Sequence, residues 1–223
     1  METNITFDRI GNGKLTYSDD FITTFPKLFS LLKTAHVLDF TINSNKRYRQ
    51  YIWRLINNKT CGWLCQLEHV FPQHLNLIPE HILLTKTMGG IINYWGGDDF
   101  NETLLYANNF LFGIQNSTNS FEWADNYLEA CELESLLPLS LADLLTFSQE
   151  SNGNNTFYHK ETKEVFLYAH DGYSPLDITL KADQPKYTIY TYDNIITFND
   201  YVETLAEQWL DNIDSRKPNE QRK

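Results

Sequence analysis

Short alternations of apolar and polar residues dominate the second half of the chain, a pattern typical of half-buried strands. The segments that show it are rich in aromatic and β-branched residues, which favour strands. They predict five strands, at 144–148, 154–159, 164–170, 177–180 and 187–192. The polar loop KETK joins the second segment to the third and predicts a central hairpin.

Helical spacing of apolar residues predicts the remaining elements. The predicted helices lie at about 25–38, around Tyr48 to Leu55, at 61–70, from Pro79 to the Gly89–Gly90 pair, within FEWADNYLEACELESLL (121–137), and from Phe198 to Ile213. Thr197, with Asp200 three residues later, is the expected cap of the last helix. A strand is predicted at 91–95, and a hairpin at 104–114 with its turn at Asn108 and Asn109.

This order of elements predicts an α+β fold, because strands and helices do not alternate regularly. We expect one domain over 1–213, with a largely antiparallel central sheet of about five or six strands packed with helices. A polar tail is expected at 214–223.

The cysteines and histidines raise the question of a metal site. Cys61, Cys65, His69 and His74 follow the spacing C-x3-C-x3-H-x4-H. On a helix, however, consecutive turns converge poorly on one tetrahedron, so buried thiols are expected and no metal or other cofactor. An odd total of three cysteines fits a reducing compartment, and without a secretory leader or a membrane span in the sequence we expect a cytoplasmic protein.

The charge balance limits the partners. A net charge of −11 argues against nucleic acid, because affinity for phosphates depends on Lys and Arg. The basic run NKRYRQYIWR is therefore interpreted as a solvated amphipathic helix. An acidic surface suits a basic protein, although it can also serve solubility alone. The candidate partner-binding residues are Trp95, Asp98, Asp99, Glu122, Asp125, Glu129 and Asp171.

Four segments resemble the SUKH superfamily (Smi/Knr domain) in their order and spacing. They are IPEHILLTKTMGG (78–90), LLTFSQESNGNNTFYH (144–159), EVFLYAHD (164–171) and TFNDYVETL (197–205). The region 36–77 has no counterpart and is a candidate subfamily insertion. The resemblance implies a non-enzymatic domain that binds a protein, and in bacterial members an immunity protein that occludes a toxin of nuclease or deaminase type.

Two other classes of function stay open. One is a regulatory adaptor or scaffold with no toxin partner. The other is a hydrolase that would use His159, His170 and Asp171, although no GxSxG, HExxH or GxxxxGK[ST] motif accompanies them. No membrane partner is expected, and the sequence leaves the oligomeric state open.

Overall fold

The computed structural model describes residues 7–43, 45–55, 59–96, 103–105, 108–174 and 176–214. Within these residues the chain forms eleven strands and five α-helices. The strands are β1 (Phe7–Asn12), β2 (His36–Ile42), β3 (Lys46–Arg54), β4 (Thr60–Leu67), β5 (Gly90–Trp95), β6 (Asn108–Leu111), β7 (Leu144–Glu150), β8 (Asn155–His159), β9 (Val165–Tyr168), β10 (Ile178–Leu180) and β11 (Ile189–Tyr192). The helices are α1 (Asp19–Thr24), α2 (Pro26–Leu32), α3 (Pro79–Met88), α4 (Ala124–Leu133) and α5 (Phe198–Asp214).

All eleven described strands join one antiparallel sheet, in the order β1-β2-β3-β4-β5-β6-β7-β8-β9-β11-β10. The predicted sheet of about five or six strands packed with helices is therefore wrong. Region 36–77 supplies three of the additional strands, because β2, β3 and β4 pair in sequence over most of their lengths. They lie inside the sheet and contribute to its core.

The helices predicted around Tyr48 to Leu55 and at 61–70 are the strands β3 and β4. In β3 the side chains of Tyr51 and Trp53 are buried two residues apart, which is the strand period. The helix predicted at 25–38 begins near the predicted residue, at Pro26, but ends at Leu32, and β2 begins at His36. The predicted turn at Asn108 and Asn109 is also wrong, since both residues lie in β6.

Other predicted elements are confirmed. Pro79 opens α3, and Gly89 ends it with φ of +85°, a conformation that glycine adopts without a steric penalty. The strands β5, β7, β8, β9, β10 and β11 and the helices α4 and α5 lie within two or three residues of the predicted positions. The tail after residue 214 lies outside the described residues.

Four helices, α1, α2, α3 and α5, share a large aromatic core with one side of the sheet, which we call the inner face. Trp209 of α5 packs against Trp53 and Trp63, with ring centroids 5.8 and 5.2 Å apart. Phe198 at the other end of α5 packs against Phe147, 5.2 Å away. Because Trp53 and Phe147 belong to opposite halves of the sheet, α5 connects the two halves.

The N-terminal half of the sheet (β1 to β5) and the C-terminal half (β6 to β11) meet at β5 and β6. These two strands pair at one residue pair, Ile91 and Leu111. The backbones come close there: a Cβ added at Gly90 would lie 2.3 Å from the Cα of Gly113. This contact requires glycine at residue 90.

The opposite side of the sheet, which we call the outer face, has a smaller core over the C-terminal half. There α4 covers Phe157 and Phe166 of β8 and β9. Their sequence neighbours Tyr158 and Val165 belong to the inner core, as strand alternation requires.

Candidate interaction surface

Helix α4 is amphipathic, and its apolar side holds it on the sheet. Trp123, Tyr127 and Cys131 recur every four residues and are buried. Trp123 stacks on Tyr168 at 4.4 Å between centroids. The hydroxyl of Tyr127 donates to Gln184 at 2.5 Å and accepts the backbone N–H of Leu139 at 2.7 Å. Although Trp123 lies among acidic residues in the sequence, only 6% of its surface is accessible, so it is part of the outer core.

The other side of α4 presents the predicted acids. Asp125 and Glu129 are exposed four residues apart on one side of α4, and Glu122 is exposed in the turn that leads into the helix. Two apolar side chains are exposed beside them, Leu128 at 41% and Leu133 at 79%. We call these five residues the acidic helix surface. Protein interfaces combine an apolar centre with a polar rim, and these residues offer both on a small scale.

The outer face of the N-terminal half carries partly exposed apolar residues on adjacent strands. They are Leu38, Phe40, Ile52, Leu64 and Trp95, which we call the strand patch. The register places them on one side: Phe40 pairs with Tyr48, Gln50 lies between Leu38 and Leu64, and Ile52 pairs with Gly62. These five side chains belong to neither core cluster of the described residues.

Trp95 is positioned by Gly62, its partner across β4 and β5. A Cβ added at Gly62 would lie 2.3 Å from the ring of Trp95, so the indole packs closely against the β4 backbone at Gly62. Trp95 is partly buried, and its remaining surface faces the same side of the sheet as Leu64. This predicted binding residue is therefore part of the strand patch.

The remaining predicted binding residues are not brought to the same place. Asp98 and Asp99 lie outside the described residues. Asp171 is exposed in the turn after β9, where its carboxylate accepts the N–H of Tyr173 at 3.0 Å. Burial raises the pKa of nearby Glu150, and the charge of Asp171 raises it further. Asp171 thus has a local role in its own turn.

The cysteine and histidine spacing does not form one cluster. Cys61 and Cys65 are buried in the inner core, and burial raises the pKa of the Cys65 thiol. His69 is exposed beyond the end of β4, and His74 lies in a short 3₁₀ helix, Gln73–Leu75. Among the described residues no three His, Cys, Asp or Glu side chains are grouped as metal ligands.

The two histidines of the hydrolase hypothesis are also separated. His159 ends β8, where its Nδ1 accepts the N–H groups of Glu161 and Thr162, both at 3.2 Å. His170 follows β9, at the other end of the same hairpin. At about 3.3 Å per residue, the length of the hairpin puts on the order of 15 Å between them. They therefore do not form a base and its orienting partner.

The comparisons with known proteins add no relative: no family model matches this sequence, and neither the curated proteins nor the solved structures contain a significant match. In the part of the chain that the structure describes, no helix has the length and apolar character needed to cross a bilayer. The arguments on function therefore depend on the surfaces described above.

Proposed function

We propose that this chain is a non-enzymatic, protein-binding domain of the SUKH type, an immunity protein that neutralises a basic toxin domain by occluding it in the cytoplasm. The observation that carries the proposal is the outer face. It combines the strand patch on β2 to β5 with the acidic helix surface on α4, and both lie on the same side of one sheet.

The strand patch supplies the apolar contact that such binding needs. Leu38 and Leu64 flank Gln50, and Phe40 stacks on Tyr48 with ring centroids 5.6 Å apart. Apolar residues held on a rigid sheet lose little conformational entropy on binding, and the central aromatic and aliphatic anchors of an interface contribute most of its affinity.

The acidic residues select a basic partner by charge complementarity. The chain carries a net charge of −11, and Glu122, Asp125 and Glu129 concentrate negative charge on α4. Nuclease domains are basic where they bind phosphates, so such a surface attracts them and raises the association rate by about 10- to 1000-fold at low salt.

The test begins with purification of the bound protein from the native host and continues with binding kinetics against that protein. In one variant Glu122, Asp125 and Glu129 become lysine. A matched control changes three exposed acids elsewhere, Glu161, Asp177 and Asp211, so that both variants gain the same charge. We expect the α4 variant to associate at least tenfold more slowly at low salt, and the control to change far less. Equal effects would contradict the assignment of the surface.

A second variant tests the apolar contact. Leu64→Lys places a charge within the strand patch, and Ile196→Lys does so at a residue that is 66% exposed on a loop elsewhere. We expect Leu64→Lys to speed dissociation about tenfold or more and Ile196→Lys to leave it unchanged.

The same experiments separate the rival functions. A bound chain that is a regulatory protein with no toxic activity would favour the adaptor hypothesis. Under our proposal, a variant with alanine at both His159 and His170 still protects against the toxin. Loss of protection in this variant, together with hydrolysis of a substrate by the purified natural protein, would favour an enzyme.

A further inference from the structure

The basic run of β3 is divided between the two faces of the sheet. Arg47 and Arg49 lie on the inner side, in register with Thr41 and Asp39 of β2, whereas Lys46 and Arg54 follow the outer alternation. The interpretation of this run as a solvated helix is wrong, so its arginines need a different explanation.

Arg49 is occupied within the fold. Its Nε and Nη2 donate to the two carboxylate oxygens of Asp39 at 2.7 and 2.8 Å, and its Nη1 donates to the carbonyl of Thr87 at 3.2 Å. A bidentate pair of this kind fixes the guanidinium. Arg49 therefore stabilises the contact of β2 and β3 with the end of α3.

Arg47 has no such partner. Its Nη1 donates to Nε2 of His69 at 3.2 Å, and within the described residues it forms no salt bridge. Lys86 of α3 lies on the other side of the same space, with its Nζ 5.1 Å from the ring centroid of Phe71 and likewise no described salt bridge. Two cations thus face one space in an acidic protein.

That space is a cleft of about 360 Å³, whose lining includes Arg47, Arg49, Glu68, His69, Phe71 and Lys86. Its size is at the lower end of the range of small-molecule sites. Phe71 gives it an apolar wall beside the cations.

Glu68 is the carboxylate in the cleft, and its oxygens are directed to a loop. They accept the backbone N–H groups of Ile114 at 2.9 Å and Gln115 at 3.0 Å. Burial raises the pKa of Glu68, and the two backbone N–H groups oppose that rise by stabilising the carboxylate. Neither Arg47 nor Lys86 is paired with it in the structure.

We propose that the cleft between β3, the end of β4 and α3 binds a small phosphate-bearing anion, held by Arg47, Lys86 and His69. The guanidinium and the ammonium group supply several N–H donors, and the imidazole, whose Nε2 accepts from Arg47, supplies its Nδ1–H. Phe71 accommodates an apolar part of the ligand. This site lies on the inner side of the sheet and is independent of the proposed protein-binding surface.

The test is an NMR titration of the ¹⁵N-labelled protein with inorganic phosphate, at constant ionic strength with chloride as the replaced anion. We expect saturable shifts at the backbone amides of Arg47, His69 and Lys86. Arg47→Gln and Lys86→Gln should each weaken binding about tenfold or more. Arg54→Gln is the matched control, since it removes the same charge from the exposed outer end of the same strand.

Shifts that do not saturate, or an equal loss in Arg54→Gln, would overturn the proposal. Lys86 is exposed on α3, and its substitution is not expected to disturb the fold. If Arg47→Gln does so, the effect of Lys86→Gln on phosphate binding is the test of the proposal. A parallel titration with acetate distinguishes phosphate from carboxylate: saturation by acetate alone would refute the assignment of the ligand class.

Discussion

Protonation of His81 is expected to be a main cause of acid destabilisation in this protein. His81 belongs to α3, and its imidazole is fully buried. Its Nε2 lies 2.8 Å from the carbonyl of Phe112, an acceptor, so this nitrogen carries the proton; Nδ1 then accepts the hydroxyl of Tyr158 at 3.2 Å. The site thus matches the neutral ring.

The magnitude follows from the pKa. Burial lowers the pKa of His81 from 6.5 to about 4, a difference worth roughly 3 kcal/mol. Because the folded-state pKa lies below the unfolded one, this stability is fully present above pH 6.5 and is lost as the pH falls towards 4.

Urea unfolding between pH 7 and 4 measures the effect against His81→Gln, which does not titrate and keeps an N–H donor for Phe112. The free energy of unfolding of the natural protein should fall by roughly 3 kcal/mol more than that of the variant. The raised pKa values of Glu68 and Glu150 act in the opposite direction, but equally in both proteins. Parallel pH curves would refute the reasoning.

Three further substitutions test the packing. Gly90→Ala should destabilise the protein by about 2 kcal/mol or more in thermal or urea unfolding, because its Cβ would meet the backbone of Gly113 at 2.3 Å; an unchanged midpoint would contradict this contact. Thr197→Ala removes the hydroxyl that accepts the N–H of Asp200 at 3.3 Å and should cost about 1 kcal/mol, with Thr197→Ser as the control that restores it. Trp209→Ala should cost about 3 to 5 kcal/mol and abolish two-state unfolding if α5 couples the two halves; a loss below 1 kcal/mol would exclude that role.

The sequence predicted the C-terminal half of the fold well because local signals there agree with the tertiary structure. Thr197 forms the predicted reciprocal cap of α5 with Asp200, whose carboxylate accepts the N–H of Thr197 at 2.8 Å. Strands separated by polar turns alternate clearly in this half. Here local chemistry is sufficient. In the N-terminal half, local signals succeed at α3, where Pro79 and Gly89 mark the two ends.

In the N-terminal half, the sequence wrongly predicted helices for β3 and β4, because these strands carry apolar residues on both faces. In β3 the residues Tyr48, Tyr51 and Ile52 mimic a helical stripe, although Tyr51 faces the core and Ile52 the strand patch. Pairing with β2 and β4 makes this segment a strand rather than a helix. A short stretch of sequence does not show these neighbouring strands.

The same error hid part of the candidate surface. Leu38 and Phe40 alternate along HVLDFTI, a strand signal that the extension of the preceding helix to residue 38 obscured. Glu122, Asp125 and Glu129 could be named from the sequence because acidic residues are concentrated in the segment that forms α4. The cleft proposed to bind an anion could not be predicted, because Arg47 and Lys86 line one space only where α3 packs beside β3 and the end of β4.

The position of α5 has a consequence for biosynthesis. Trp209 packs against Trp53 and Trp63, and the ribosome adds it long after both. Until then the nascent N-terminal strands expose a tryptophan-rich surface of the kind that chaperones bind. Vectorial folding from the N-terminus is therefore incomplete, and the fold closes only when its most distant segment has been synthesised.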